Sequence, residues 1–276
     1  HTRSFHVTGV QTCALPIFWG RARDSRLPPS PALTPSPVSS LAQRLLDINA
    51  RIAAAAARSG RPATSVELLA VTKTLPAERL AEAVDLGMLR FGENRVQELV
   101  AKRDELERLR PGCGATWDLI GPLQSNKVRL AMTAANRIAT IDSLDLLERV
   151  ERIAVERGAP MHIAVQVNVD ADPAKAGFSA EEFPRRLPAL LAAIGRGFVV
   201  IDGVLTVGRQ TSDIAVVRRT FTALHTVAQE LHAAALSAGV AVGPLISAGM
   251  SNDFELAIEE GSTQVRIGSA LFGARE

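Results

Sequence analysis

The sequence predicts a single (β/α)8 barrel that is preceded by one extra N-terminal helix. Three observations support this fold. From residue 40 onward short apolar segments alternate with amphipathic ones, the predicted strands number eight, and the alternation fills about 235 residues, a length typical of such barrels. A doubly wound open sheet is the alternative. It usually carries a glycine-rich turn after its first strand, whereas here that turn reads Lys73-Thr74-Leu75-Pro76.

The extra helix is predicted from Leu41, Leu45, Ile48 and Ile52, which recur at helical spacing before a turn at residues 59–62. Strands are predicted where short runs of apolar and β-branched residues follow. In chain order they are residues 67–73, 89–92, 116–121, 137–141, 161–169, 199–207, 243–248 and 264–267. The helices between them are predicted at residues 76–87, 95–109, 125–135, 144–156, 181–193, 213–238 and 253–260, the first opened by its proline and closed by its glycine.

The barrel domain is expected to span residues 39–276, because residues 1–38 differ in composition. Five prolines lie between Leu27 and Val38, which is typical of a disordered linker. The string at residues 7–17 (VTGVQTCALPI) resembles a translated sequencing adapter, so we interpret it as an artefact and Cys13 as non-biological. A signal peptide is the alternative, but its apolar core would be short and interrupted by polar residues.

Composition excludes several classes of function. The formal net charge is +2 and no block of lysine and arginine stands out, which disfavours nucleic-acid binding. No apolar run reaches the roughly 18 residues that a membrane span needs. The two cysteines, Cys13 and Cys113, indicate no disulfide framework, so we expect a cytoplasmic protein. No metal site is expected, since His225 and His232 share a helix face without further ligands.

Chemically unusual residues collect after the predicted strands, at the end of a barrel where active sites lie. Lys73 ends the first strand, Asn94 follows the second, and Asn168 lies near the end of the fifth. An amine on an apolar strand end is partly desolvated, which frees its lone pair for attack on an aldehyde. The alternative is an ordinary lysine whose amine reaches water.

Residues after the last two strands suggest a phosphate site. Ser251, Asn252 and Asp253 start a helix, and Glu255 stands where it would complete a capping box with Asn252. Gly268 and Ser269 follow the eighth strand and offer backbone N–H groups and a hydroxyl. The loops after strands seven and eight commonly bind phosphate in barrels. Simple capping and turn formation would explain each residue taken singly.

Arg266 lies within the eighth strand and alternates with two apolar neighbours, so it is predicted to point into the barrel. A buried arginine is costly unless it is paired. It therefore meets either a ligand or a carboxylate, for which Glu93, Asp118 and Asp142 are the candidates.

Five blocks resemble the pyridoxal 5′-phosphate (PLP) homeostasis protein family, a single-domain barrel similar to the N-terminal domain of alanine racemase. They are residues 69–73 (LAVTK), 91–98 (FGENRVQE), 120–127 (IGPLQSNK), 249–253 (GMSND) and 265–275 (VRIGSALFGAR), in that order. Asp118 departs from the pattern, since the family usually has histidine there. The block after the sixth strand, residues 203–208 (GVLTVG), is also looser than the family's.

The resemblance implies PLP as the cofactor and a role for each gathered residue. Lys73 would carry PLP as an aldimine, Arg266 would face the pyridine nitrogen, and Asn94 would lie beside the ring. Ser251, Gly268 and Ser269 would hold the phosphate, with Ser247 nearby.

Two arguments favour a PLP carrier over an enzyme, and no catalytic residue is assigned. Alanine racemases use a tyrosine as the second acid/base group, and this sequence contains no tyrosine. An arginine cannot accept the pyridine proton that makes PLP an effective electron sink. We therefore expect a protein that buffers PLP or delivers it to apoenzymes, as a monomer or weak dimer. The alternatives are a weak PLP enzyme acting on amino acids and a barrel enzyme that uses Lys73 on another phosphorylated carbonyl compound.

Overall fold

The structure, a computed structural model, describes residues 40–273. The expectations for residues 1–38, including Cys13, and for Ala274 and Arg275 fall outside the described residues. Nine parallel strands form one sheet in the order β4-β3-β2-β1-β9-β8-β7-β5-β6, and the pairing of β4 with β5 closes eight of them into a barrel. The strands are β1 (Glu67–Val71), β2 (Arg90–Glu93), β3 (Thr116–Leu119), β4 (Arg137–Ile141), β5 (Met161–Asn168), β6 (Phe178–Ser179), β7 (Val199–Leu205), β8 (Leu245–Ser247) and β9 (Gln264–Ile267).

Helices surround this barrel, as the alternating sequence predicts, so the fold prediction is confirmed. They are α1 (Leu41–Arg58), α2 (Ala77–Asp85), α3 (Val96–Leu109), α4 (Val128–Ala134), α5 (Leu144–Arg157), α6 (Phe183–Gly195), α7 (Ile214–Ala238), α8 (Phe254–Glu259) and α9 (Ser269–Phe272). Their apolar faces and the outward faces of the strands form one continuous core, in which Phe91, Trp117, Phe183 and Phe254 are almost fully buried.

The carboxyl ends of six strands differ from the prediction by one or two residues, and two of them illustrate the difference. β1 ends at Val71, so Lys73 belongs to the turn after the strand rather than to the strand itself. Thr74 has a φ of 67°, which turns the chain out of the sheet direction. β3 ends at Leu119 instead of Gly121. The two-residue strand β6, which lies beside β5, has too short an apolar run to be found in the sequence.

The interior of the barrel is apolar at mid-height and charged towards the amino ends of the strands. Ala139, Ala164, Leu205 and Leu245 form a small apolar cluster with Ile120 against it. Beneath them lies a charged floor, which we define as Glu67, Arg90, Asp118, Arg137 and Asp202. Arg137 Nη1 lies 3.1 Å from Asp118 Oδ2, and Arg137 Nε lies 2.6 Å from Asp202 Oδ2. Ionic contacts thus close the end opposite to the predicted site.

The extra helix α1 packs on α8 and α9, which adjoin the last two strands. Arg44 Nε donates to the carbonyl of Leu271 at 2.6 Å. Arg51 pairs with Glu255 at 2.7 Å and also stacks on Phe254, with its guanidinium carbon 4.5 Å from the ring centroid. The helix therefore supports the segments that carry the predicted phosphate site.

Candidate functional site

A cavity of about 890 Å³ opens at the carboxyl ends of the barrel strands. Six of the seven predicted site residues line it: Lys73, Asn94, Ser251, Arg266, Gly268 and Ser269. They come from the loops or ends of four different elements, and closure of the barrel brings them together. The seventh, Ser247, is fully buried and lies outside the lining.

Lys73 is half-buried at the wall of this cavity, and its two neighbours in sequence are fixed. Thr72 donates its N–H to the carbonyl of Gly92 at 3.0 Å and its hydroxyl to Glu93 Oε1 at 2.6 Å. On the other side, the N–H of Thr74 donates to Glu98 Oε2 at 3.3 Å. These bonds set the backbone from which the Lys73 side chain enters the cavity.

A buried ion pair lies behind the Lys73 turn. Lys102 Nζ donates to the carbonyl of Thr72 and to Glu93 Oε1, both at 2.7 Å. Glu93 is fully buried and its Oε2 has no hydrogen-bond partner in the described part of the chain. Burial raises the pKa of the Glu93 carboxyl, and the Lys102 and Thr72 hydrogen bonds oppose that shift only in part. Sequence reasoning missed Lys102, because no motif marks a helix lysine that reaches back to a strand.

Two serines and a glycine form the predicted phosphate end of the cavity. The hydroxyl oxygens of Ser251 and Ser269 lie 3.3 Å apart, and the N–H of Ala270 donates to Ser251 Oγ at 3.3 Å. A Cβ on Gly268 would lie 3.2 Å from the carbonyl oxygen of Val71, so a side chain here would crowd that carbonyl. Small residues therefore bring hydroxyl and N–H donors to one point.

The predicted capping box at Asn252 and Glu255 is wrong. The N-cap position of α8 is Asp253, whose side chain caps no N–H of that helix and instead accepts from the N–H of Met250 at 2.6 Å. Glu255 bonds to Arg51 of α1. Tertiary ion pairing thus takes the carboxylate that a local capping box would have used. Burial raises the pKa of Asp253, whose carboxyl also lines the cavity.

Arg266 points into the barrel as predicted, but none of the three proposed carboxylates is its hydrogen-bond partner. Nη1 donates to Ser247 Oγ at 2.9 Å and Nη2 donates to the carbonyl of Thr206 at 2.7 Å. Glu93 pairs with Lys102 and Asp118 with Arg90 and Arg137, so both are already neutralised. Burial lowers the pKa of Arg266 to about 10, and the guanidinium remains charged at neutral pH.

The remaining wall comes from two loops. Asn94 lies directly after β2, and a Cβ on Gly121 would lie 2.1 Å from its carbonyl oxygen, so the loop after β3 packs on the Asn94 backbone. On the opposite side the lining includes Val207, Arg209 and the start of α7, which sequence reasoning did not single out. Asn168 is the last residue of β5, and the sequence placed it near the end of that strand. It lies outside the cavity lining, and its side-chain amide donates to the carbonyls of Asp172 and Lys175.

Residues 40–273 contain neither a cluster of metal ligands nor a membrane-spanning helix. No group of three or more histidine, cysteine or acidic residues there could hold a metal ion. No helix in that range is both long and apolar enough to cross a membrane.

The sequence matches known proteins over most of its length. Residues 44–276 match the family described as alanine racemase, N-terminal domain. Two relatives are named pyridoxal phosphate homeostasis protein, one from Pseudomonas aeruginosa and one from Escherichia coli, and each is 36% identical to this chain. Each match covers 87% of this chain, with 97% of the Pseudomonas aeruginosa protein and 98% of the Escherichia coli protein. The structure of PipY from Synechococcus elongatus with PLP bound is 36% identical with a TM-score of 0.71, covering 85% of this chain and all of that one.

Alanine racemase from Clostridium difficile shares the fold at lower similarity. It is 16% identical with a TM-score of 0.61, over 85% of this chain and 56% of the racemase. At that identity the likeness concerns the barrel architecture alone.

Proposed function

Because this chain belongs to the pyridoxal phosphate homeostasis protein family, we propose that it binds PLP at the barrel mouth and takes part in PLP homeostasis. Its cofactor is PLP, and the aldehyde carbon is held by Lys73 Nζ as an aldimine. One observation supports this assignment above all. The sequence contains four lysines, Lys73, Lys102, Lys127 and Lys175, all within the described range, and Lys73 alone lines the cavity.

The residues present fit PLP at each of its reactive or charged groups. Ser251 and Ser269, with the N–H groups of the tight turn at Gly268, suit a phosphate dianion. Arg266 offers a cation in the wall that no buried carboxylate neutralises by hydrogen bonding. Bound PLP supplies an aldehyde that a primary amine captures reversibly.

Each of the six predicted residues that line the cavity has a proposed role in the complex with PLP. Lys73 supplies the amine, Ser251, Gly268 and Ser269 bind the phosphate, and Asn94 lies beside the ring. Arg266 faces the pyridine nitrogen and, being a permanent donor, keeps that nitrogen unprotonated. Ser247 lies behind Arg266 rather than at the phosphate, so we assign it to holding the guanidinium.

A carrier that buffers or delivers PLP fits this site better than an enzyme. Sustained racemisation needs an acid/base group on each face of the bound amino acid, and the chain has no tyrosine to serve the second face. An unprotonated pyridine nitrogen also weakens the electron sink. Weak PLP-dependent activity on amino acids is the alternative. Incubation with L-alanine followed by chiral analysis separates the two, because sustained turnover would overturn the carrier assignment.

The first test is the identity of the PLP-bearing lysine. Borohydride reduction of the PLP-loaded protein, followed by peptide mapping, is expected to place the adduct on Lys73. Lys73→Ala should lose the stable adduct while retaining some noncovalent PLP through the phosphate end of the cavity. Lys127→Ala is the matched control, since that lysine lies outside the cavity lining. An adduct of wild-type yield in Lys73→Ala would contradict the assignment.

The chemistry of the same site also suggests protein partners that receive PLP. A protein that holds a reactive aldehyde reversibly suits delivery to PLP-dependent apoenzymes, and we propose such transfer from a monomer or weak dimer. Mixing the loaded protein with an apoenzyme and following the gain of enzyme activity tests delivery. A cytoplasmic location is proposed from the low cysteine content alone, two in 276 residues.

A further inference from the structure

A chain of hydrogen bonds runs from Arg266 through the barrel wall to its opposite end. Arg266 Nη1 lies 2.9 Å from Ser247 Oγ, and that hydroxyl lies 2.8 Å from Gln264 Oε1. Gln264 Nε2 in turn lies 2.7 Å from Glu67 Oε2. The four residues come from β9, β8 and β1, which are neighbours in the barrel. Arg266, Ser247 and Gln264 are buried, whereas the Glu67 side chain is 42% exposed.

The direction of every bond in this chain is fixed by its two ends. A guanidinium only donates and a carboxylate only accepts. Ser247 must therefore accept from Arg266 and donate to Gln264, whose carbonyl oxygen faces the serine. The Gln264 amide group then has its NH2 towards Glu67. A reversed amide would set its carbonyl oxygen against the Glu67 carboxylate oxygen, which would leave two acceptors in contact with no proton between them.

Glu67, the carboxylate at the end of this series of hydrogen bonds, also forms an ion pair. Glu67 Oε1 lies 3.2 Å from Arg90 Nη1, and Arg90 Nη2 lies 3.1 Å from Asp118 Oδ1 in the charged floor. The chain thus links the cation that lines the cavity to a carboxylate at the far end of the barrel. Arg266 itself donates to Ser247 and Thr206 rather than to a carboxylate, and the Asp253 carboxyl acts on it electrostatically.

We propose that Gln264 is a positioning residue for Arg266, acting through Ser247 with Glu67 as its anchor. It sets the orientation in which the guanidinium meets the pyridine nitrogen of PLP. The inference rests on the proposed function, because it assumes that PLP occupies the cavity with its ring nitrogen at Arg266. The phosphate end is formed by other residues, so the chain acts on recognition of the ring and leaves phosphate binding unchanged.

The test compares PLP with its carbocyclic analogue, in which a C–H group replaces the ring nitrogen. Dissociation constants are measured by titration for the wild type, Gln264→Met and Ser247→Ala, with Arg266→Met as the reference for complete loss. The wild type is expected to prefer PLP by about tenfold, the effect of one hydrogen bond to a charged group. Gln264→Met should reduce that preference to about twofold, whereas loss of packing alone would weaken both ligands equally.

Three further variants make the outcome decisive. Gln264→Met combined with Ser247→Ala should lose no more preference than either single change, because both interrupt one chain. Glu67→Leu, at a side chain that is 42% exposed and also pairs with Arg90, frees the Gln264 amide to reverse and should lower the preference in the same direction. Thr140→Val removes a comparable buried hydroxyl, which donates to the carbonyl of Gly121 at 2.8 Å, and should leave the preference at the wild-type value.

The proposal is overturned if folded Gln264→Met keeps the wild-type preference, if the two changes add independently, or if the wild type itself does not distinguish the ligands. Failure of the proposed function is a different result. Borohydride would then trap no PLP on Lys73 of the wild type, whatever the preference for the ring.

Discussion

At the scale of single residues, the turn that carries Lys73 is held by groups that do not touch the cavity. Lys102 bonds the carbonyl of Thr72 and pairs with the fully buried Glu93, while Glu98 accepts the N–H of Thr74. Thr74 keeps a positive φ that a β-branched residue rarely adopts. Such strain persists where surrounding contacts over-determine the conformation. The backbone from which the Lys73 side chain extends is therefore fixed before any ligand arrives.

Burial of Glu93 has a consequence for the pH dependence of stability. Its folded pKa is raised above the unfolded value of about 4.3, so the folded chain retains the proton to higher pH than the unfolded chain. The free energy of unfolding therefore falls as the pH rises from the unfolded pKa through the folded one. In Glu93→Gln that contribution disappears.

We expect Glu93→Gln to gain stability relative to the wild type as the pH rises from the unfolded glutamate pKa of about 4.3 through the raised folded one. Urea unfolding of both proteins at several pH values measures the difference in the free energy of unfolding. Glu82→Gln, which alters an exposed pair with Arg79, is the control and should show little change. A difference that is constant with pH, or that has the opposite slope, would show that the folded pKa of Glu93 is not raised.

At the scale of elements, α1 acts as a brace for the segments after β8 and β9. Its apolar face buries Ile48 and Ile52, and its polar face pairs Arg51 with Glu255 and Arg58 with Glu259 of α8. Ser40 starts the helix by accepting the N–H of Gln43 at 3.2 Å. Because α8 and α9 flank the phosphate end of the cavity, the brace links helix docking to the site.

Truncation of the α1 face should show how much this docking contributes. Ile48→Ala, at a side chain 2% exposed, is expected to lower the free energy of unfolding by about 2–4 kcal/mol, from lost burial and the cavity left behind. Leu46→Ala lies on the same helix but is 63% exposed, and should change it by less than about 0.5 kcal/mol. Chemical denaturation measures both. Equal effects would mean that α1 does not pack as the structure shows.

At the scale of the whole molecule, the barrel divides its interior by polarity. Small apolar residues fill the middle, the cavity with Lys73 and Arg266 opens above, and the charged floor closes the other end. Asp118, which stands where the family resembled by the sequence usually has histidine, is the central anion of that floor. It pairs with Arg90 and Arg137, so the carboxylate that stands in place of the histidine is paired with two cations. It lies away from the cavity lining and leaves the proposed cofactor contacts intact.

Removing that central anion should affect stability far more than removing a surface charge. Asp118→Asn leaves the half-buried Arg90 and the buried Arg137 without their shared carboxylate, and we expect a loss of about 3–5 kcal/mol in the free energy of unfolding. Burial raises the pKa of Asp118 while the two arginines oppose that rise, so part of the loss is offset by the removed desolvation. Thermal and urea unfolding measure it. A loss below about 1 kcal/mol, as for surface ion pairs, would contradict a structural floor.

Much of the fold was readable from local pattern. Strand and helix periodicity predicted eight units and the extra helix, and the position of Lys73, Asn94, Gly268 and Ser269 after strands predicted a shared mouth. These properties follow from residues close together in sequence. The early end of β1 shows the limit, because the turn that follows it makes contacts with a helix more than twenty positions away. Glu98 of that helix accepts the N–H of Thr74, and Lys102 donates to the carbonyl of Thr72.

The sequence by itself therefore determined the barrel, the family and six of the residues that line the cavity. Only the tertiary structure decided which hydrogen-bond or ion-pair partner each charged side chain has. Arg266 finds Ser247 and Thr206 instead of a carboxylate, Glu255 pairs with α1 instead of capping α8, and Glu93 pairs with Lys102. The physical reason is that barrel closure and strand register bring together side chains from distant positions. Which donor then takes which acceptor depends on burial and geometry that no local pattern encodes.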